Sequence, residues 1–163
     1  MALNDDIALL SNVSLFADIG EDKLRLIAFG AERRRVAKGH ELFREGAPAD
    51  CAYAVAAGSF ALSNANAQGR QQQVMTVGRG ALLSELALIS MVERKFTATA
   101  QEDSEVIRIN RPLFRRMLEE YPEVTAMVEA RIRENIQAMI RRVEALAGRF
   151  TQADGAVKAR NGL

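Results

Sequence analysis

A mainly β fold with flanking helices is what this 163-residue sequence predicts, and three observations carry the prediction. Glycines at positions 39, 46, 58, 69, 78 and 80 separate runs of strand length. Helical spacing of apolar residues is confined to the start of the chain and to the part after Asn110. From Glu123 to Ala147 there is neither glycine nor proline, which leaves room for one long helix. The expected architecture is an antiparallel sandwich or barrel over residues 31–110, between N-terminal helices (1–30) and C-terminal helices (111–150). With 48% hydrophobic residues the chain can bury a real core as a single domain over residues 1–150.

Ile7, Leu9 and Leu10 open a first short helix. GEDKLRLIAFG makes a second, with acids in its first turn and Leu24, Ile27 and Ala28 at helical spacing. From Ala31 the runs ERRRVAKG, HELFREGAPAD, CAYAVAAG, SFALSNANAQG and RQQQVMTVGRG read as strands that turn about every ten residues. SELALIS interrupts them. Leu86, Leu88 and Ile89 share one side of a helical turn and Ser84 is a good N-cap residue, so a short helix is expected inside the β region. KFTATAQEDSEVIRIN resumes strand character through Thr97, Thr99, Val106, Ile107 and Ile109.

RPLFRRMLEEY then predicts a short helix with proline in its first turn and a stop at Pro122. The helix from Glu123 would be roughly 35–40 Å long at 1.5 Å per residue. Along it Ile132, Ile136, Met139, Val143, Leu146 and Phe150 alternate spacings of four and three, which makes a narrow apolar seam. Such a seam either pairs with a second copy, giving a homodimer through Ile132, Ile136, Met139, Val143 and Leu146, or packs on its own barrel. Gly148 marks the expected helix stop, and TQADGAVKARNGL (151–163) reads as a flexible tail.

Composition excludes several classes of function. Twenty-two Lys and Arg against 21 Asp and Glu give a net charge of +1, so no global field draws the chain to nucleic acid or an anionic membrane. An anion site must therefore be local. The run Arg33, Arg34, Arg35 is spread over both faces of a strand and reads as a solvated edge. No apolar run reaches the roughly 20 residues of a membrane span, and the acids of MALNDDIALL do not suit a secretory signal. A single buried thiol, Cys51, fits a reducing compartment, so a cytoplasmic location is expected. One histidine, His40, and one cysteine supply no metal-ligand cluster and no nucleophile with its base, so neither a metal, a cofactor nor an enzyme activity is expected.

Two helices, a glycine-punctuated barrel with an embedded short helix, and a long helix resemble the cyclic nucleotide-binding domain family over about Leu10 to Phe150. KGHELFREGAPADCAYAVAAG is similar to the family's barrel pattern, with Gly39, Leu42, Phe43, Gly46, Tyr53, Val55 and Gly58 in register. SELALISMVERKFTATA resembles the phosphate-binding cassette, G-E-[LI]-A-L, a spacer, then R-[ST]-A-T. It keeps Glu85, Leu86, Ala87, Leu88, the spacer length and Arg94. The resemblance implies an antiparallel β-roll or jelly-roll barrel with the cassette over residues 80–100. It also implies glutamate on the ribose, arginine on the phosphate, and cAMP or cGMP as ligand.

The residue types suit that chemistry. A helix start offers unpaired amides to a phosphate, and the planar fork of Arg94 matches phosphate oxygens. Glu85, an acceptor when ionised, suits a ribose hydroxyl. The alternative reading is an internal ion pair between Glu85 and Arg94, or two exposed charges left from an ancestral site.

Three positions depart from the family pattern. Ser84 replaces the cassette glycine, where it either crowds the site or caps the helix. Lys95 and Phe96 replace the small residues after the arginine. On a strand they would point to opposite faces, so only one would enter the pocket. The absent threonine after Arg94 leans toward cAMP. Met139 and Ile140 stand where relatives contact the base, which implies an apolar base lid. The expected ligand-binding set is thus Ser84, Glu85, Leu86, Ala87, Arg94, Lys95 and Phe96.

The catabolite-activator-type regulators of the family carry a DNA-reading helix-turn-helix after the long helix. Such a motif needs roughly 25 residues, more than follow Phe150, so no nucleic acid is expected as a direct partner. The expected function is a regulatory cyclic nucleotide-binding protein that signals through its C-terminal helix to a homodimer or a protein partner. The alternatives are a non-binding dimerisation or interaction module of the same fold, or a truncated transcription regulator.

Overall fold

The computed structural model describes the backbone of residues 2–161 and the side chains of residues 3–145. Helices α1 (Ala2–Ser11) and α2 (Glu21–Gly30) flank a single 3-10 turn, Ser14–Phe16. One antiparallel sheet has the order β1 (Glu32–Val36), β10 (Ser104–Asn110), β4 (Cys51–Ala57), β7 (Leu82–Leu83). The other runs β2 (Glu41–Phe43), β9 (Thr97–Ala100), β5 (Ser59–Ala65), β6 (Gln71–Gly78). A two-strand bridge, β3 (Pro48–Ala49) with β8 (Val92–Glu93), joins the barrel to the cassette. Helices α3 (Arg111–Glu120) and α4 (Thr125–Asn161) complete the chain.

The two central strands of the first sheet, β10 and β4, are buried on both faces because they serve two cores, whereas β1 is mostly exposed. Along β4, Ala52 and Ala54 face a core made with the helices, while Cys51, Tyr53 and Val55 face the barrel interior. The alternation follows from the strand period of two, and the small alanines let the helices approach. β10 does the same, with Ile107 and Ile109 on the helix side and Val106 inside the barrel. Phe16 and Phe114, with ring centroids 6.3 Å apart, centre the helix-side core. At Gly58 the β4–β5 turn has φ +84°, and an added Cβ would lie 2.8 Å from the Ser104 Cα, so only glycine fits.

Helix α3 is capped by Asn110, whose side-chain oxygen accepts from the Leu113 amide at 2.8 Å. The Arg run on β1 is absorbed by ion pairs. Arg33 bonds Asp6 and Glu105, Arg35 reaches Glu105 at 3.3 Å, and Arg34 reaches Glu32 at 3.4 Å. Cys51 is fully buried and His40 is exposed. Among the described residues no helix is long and apolar enough to cross a membrane, and no cluster of His, Cys, Asp and Glu could hold a metal ion.

One expectation for the C-terminal region is corrected, and the packing of the apolar seam is seen. Helix α4 does not stop at Gly148 but runs on to Asn161, so the backbone of 151–161 is helical. Each of its two interior glycines, Gly148 and Gly155, costs a helix only about 1 kcal/mol, and the alanines around them favour helix. Residues 162–163 lie outside the described residues, as do the side chains of Leu146 and Phe150. The apolar seam, in turn, is engaged within the chain. Ile132 is fully buried in the helix-side core, Ile136 packs at the edge of that core, and Met139 packs against the barrel core. The stripe faces its own barrel because the turn Pro122–Val124 sends α4 back across the cassette.

Candidate functional site

A cavity of about 330 Å³ lies between the cassette and α4, within the range of about 300–1,000 Å³ usual for small-molecule sites. Its floor is the segment Ser84–Ala87, and its side wall is made by Phe43, Leu62 and Asn64 of the barrel. Val92, Glu93, Lys95 and Phe96 close another side. The roof is α4, through Asn135, Ile136, Met139, Ile140, Val143 and Glu144. Of the residues expected from sequence, Ser84, Glu85, Leu86, Ala87, Lys95, Phe96, Met139 and Ile140 all line this space.

The cassette helix is a single 3-10 turn, Glu85–Leu88, with Ala87 and Leu88 buried beneath it. Ser84 sits at its start but does not cap it. Its backbone is left-handed, φ +66° and ψ +45°, and its hydroxyl makes no bond to the turn. That conformation costs a residue with a Cβ about 1–2 kcal/mol and is the one a glycine adopts freely. Arg111, the first residue of α3, pins the segment from below. Its Nε donates to the Ala87 carbonyl at 2.8 Å and its Nη2 to the Ala49 carbonyl at 2.7 Å.

Glu85 rises from this turn into the cavity. Asn135 of α4 donates to its Oε2 at 3.0 Å. Burial against the apolar roof pushes the carboxyl up to about 7, and the Asn135 bond acts in the opposite direction. The ion pair between Glu85 and Arg94, the alternative reading of the two charges, is absent among the described residues.

Arg94 departs from the expected geometry. Only 5% exposed, it is not part of the cavity wall. Its Nη1 donates to the Cys51 carbonyl at 2.8 Å and its Nη2 to the Cys51 sulfur at 3.2 Å. The guanidinium lies 4.6 Å from the Phe43 ring centroid and 5.3 Å from that of Tyr53. Cation–π attraction and packing of the guanidinium plane hold it inside the barrel, with Phe43 between it and the cavity.

The expectation that Lys95 and Phe96 face opposite ways also fails. Both line the cavity, because they lie on a bend between β8 and β9 where strand alternation does not apply. Sequence reasoning missed Asn135 altogether. The available signal was a short polar residue directly beside Ile136, on the edge of the apolar stripe.

Comparison with known proteins agrees with this geometry. The family model described as the cyclic nucleotide-binding domain matches residues 33–121. The solved structure of a cyclic nucleotide-binding-like protein from Brucella abortus is 47% identical. The match covers 71% of this chain and 98% of that one, with a TM-score of 0.64. The cyclic AMP receptor protein of Thermus thermophilus is 27% identical over 124 residues, 74% of this chain and 57% of the receptor. Lysophospholipase NTE1 of Chaetomium globosum is also 27% identical, over 114 residues that make up 70% of this chain. The chain spans only 8% of that enzyme's length.

Proposed function

The chain belongs to the cyclic nucleotide-binding domain family, and on that premise we propose that it is a regulatory binder of a cyclic nucleotide and not an enzyme. The observation that carries the reading is the cavity itself, where the Glu85 carboxyl stands under a mainly apolar roof and the exposed Lys95 is among the lining residues. Glu85 accepts the ribose 2′-hydroxyl. The phosphate lies against the turn that Ser84 opens, with the Lys95 ammonium in the wall. Arg94 contributes positive potential from behind Phe43, and it reaches the phosphate directly only by leaving Cys51. Met139 and Ile140 cover the base.

The preferred ligand is cAMP. Relatives that favour cGMP carry a hydroxyl after the arginine, a place that Lys95 occupies here, and the apolar lid offers no hydrogen bond by which to read guanine. Calorimetry with cAMP and cGMP tests the reading. Saturable binding with a Kd well below about 1 mM is expected, and none from either nucleotide would sink it. Bound ligand also raises the apparent melting temperature by mass action, an independent readout.

The output is carried by α4. Its apolar stripe roofs the cavity, so pairing two copies through the same stripe would require the roof to lift. Ligand closure and self-pairing then compete, and sedimentation with and without nucleotide should show any dimer fraction falling on binding. Any downstream protein partner would read the same helix. A second reading is favoured by the engagement of Arg94 with Cys51, which removes the expected phosphate arm from the wall. In that reading the domain is an interaction module without ligand, and absence of nucleotide binding together with a constant oligomeric state would support it.

A further inference from the structure

We propose that Asn135 is a positioning residue for the ligand site: from α4 it holds one oxygen of Glu85 and leaves the other for a ligand hydroxyl, so the acceptor is set only when α4 is in place. The inference rests on the reading of the cavity as a cyclic nucleotide site. Asn135 Nδ2 donates to Glu85 Oε2 at 3.0 Å and lies 3.3 Å from Ser14 Oγ, so both amide protons have acceptors. A residue one turn earlier, Arg131, donates to the Leu15 and Ala17 carbonyls. These two residues clip α4 to the N-terminal turn and to the cassette. Beyond them the roof is formed mainly by apolar side chains.

Glu85 Oε1 is free to work. It has no hydrogen bond, and among the described residues no buried side-chain polar atom lacks a partner, so this oxygen is not sealed in the interior, and Glu85 is a lining residue of the cavity. Holding Oε2 leaves one oriented acceptor instead of a freely rotating carboxyl, which is the part of binding that pre-organisation improves. The ionised state matters too, because only the carboxylate is a pure acceptor.

Among the described residues the surroundings supply no compensating ion pair. Glu93 of β8, Lys95 of the bend and Glu144 of α4 line the same cavity without pairing with Glu85. Arg111 of α3 and Arg131 of α4 are spent on backbone carbonyls, and Arg94 behind the cassette is spent on Cys51. Burial holds the Glu85 carboxyl at about 7 while the Asn135 bond pulls it down, so loss of that bond raises it further.

The test is calorimetry with cAMP from about pH 5.5 to 8.5 on the wild type, Asn135→Ala, the isosteric Asn135→Asp, and Ser14→Ala. For the wild type, Kd should rise toward tenfold per pH unit below about 7. Asn135→Ala should weaken binding about tenfold at pH 7.5 and move the midpoint upward. Asn135→Asp should bind worst at high pH and recover as the two carboxyls come to share a proton. Ser14→Ala, which leaves the Glu85 bond intact, should keep the wild-type midpoint. An unchanged Kd and midpoint in Asn135→Ala would overturn the proposal, and so would a uniform weakening with the wild-type pH profile, which marks mere packing. If the wild type binds neither cAMP nor cGMP at any pH, the nucleotide reading itself falls, an outcome distinct from wild-type binding with an inert Asn135.

Discussion

Glu85 and Arg94 belong to one short cassette, yet their surroundings are opposite in kind. Arg94 is enclosed by the barrel and pays its desolvation with a carbonyl, a sulfur and two aromatic faces, all of them neutral. Glu85 stands at the edge of an apolar cavity with one amide donor, and its ionised form is poorly solvated. One charge is satisfied within the fold, while the other weighs on it and is the one our proposal gives to a ligand. The difference teaches that position in a motif does not settle a role, because the neighbours of the two side chains come from distant parts of the chain.

The largest expected effect tests the supporting role. Arg94→Ala should destabilise the ligand-free protein by about 3 kcal/mol, because the Phe43 and Tyr53 rings lose a packed plane and the Cys51 carbonyl loses its donor. Urea unfolding would measure it. An unchanged midpoint would mean that Arg94 is idle in the free protein and reserved for ligand.

Glu85→Gln should act with the opposite sign, raising stability at pH 8.5 by on the order of 2–3 kcal/mol. The folded carboxyl titrates near 7 and the unfolded one near 4.5, so between these values the folded state holds the extra proton. Wild-type stability therefore falls as pH rises from 4.5 to about 7 and stays lower above it, whereas glutamine, which cannot ionise, avoids the loss. The gain should vanish below pH 4.5. The same variant should bind nucleotide roughly 10- to 100-fold more weakly, since it loses a charged acceptor.

The smallest effect concerns the residue in front of Glu85. Ser84→Gly should raise stability by about 0.5–1 kcal/mol, the relief of a left-handed serine less the added freedom of the unfolded chain. A thermal melt would read it as a small upward shift. A decrease would show that the serine hydroxyl has a partner in the free protein.

Much of the fold was legible because its signals are local. Glycines at 39, 46, 58, 69 and 80 all adopt positive φ at turns, and the apolar runs between them make the strands. Pro112 and Asn110 mark the start of α3, although the capping role of Asn110 was not read. Gly148 misled, since a helix tolerates isolated glycines, and α4 holds Gly155 as well. In the site, the resemblance pointed to Glu85, Met139 and Ile140, and all three line one cavity. The inward turn of Arg94, the shared facing of Lys95 and Phe96, and Asn135 were not legible, because each depends on what lies across the cavity or the barrel.

By itself the sequence determined the order of elements, the cassette and which side chains it could offer, since periodicity, glycine and capping act over a few residues. Only the tertiary structure decided which charge meets the cavity and which is folded away. It also decided that the apolar stripe of α4 roofs a pocket instead of standing free. Those outcomes are set by burial and by long-range partners, Cys51 for Arg94 and Asn135 for Glu85, which no local pattern specifies.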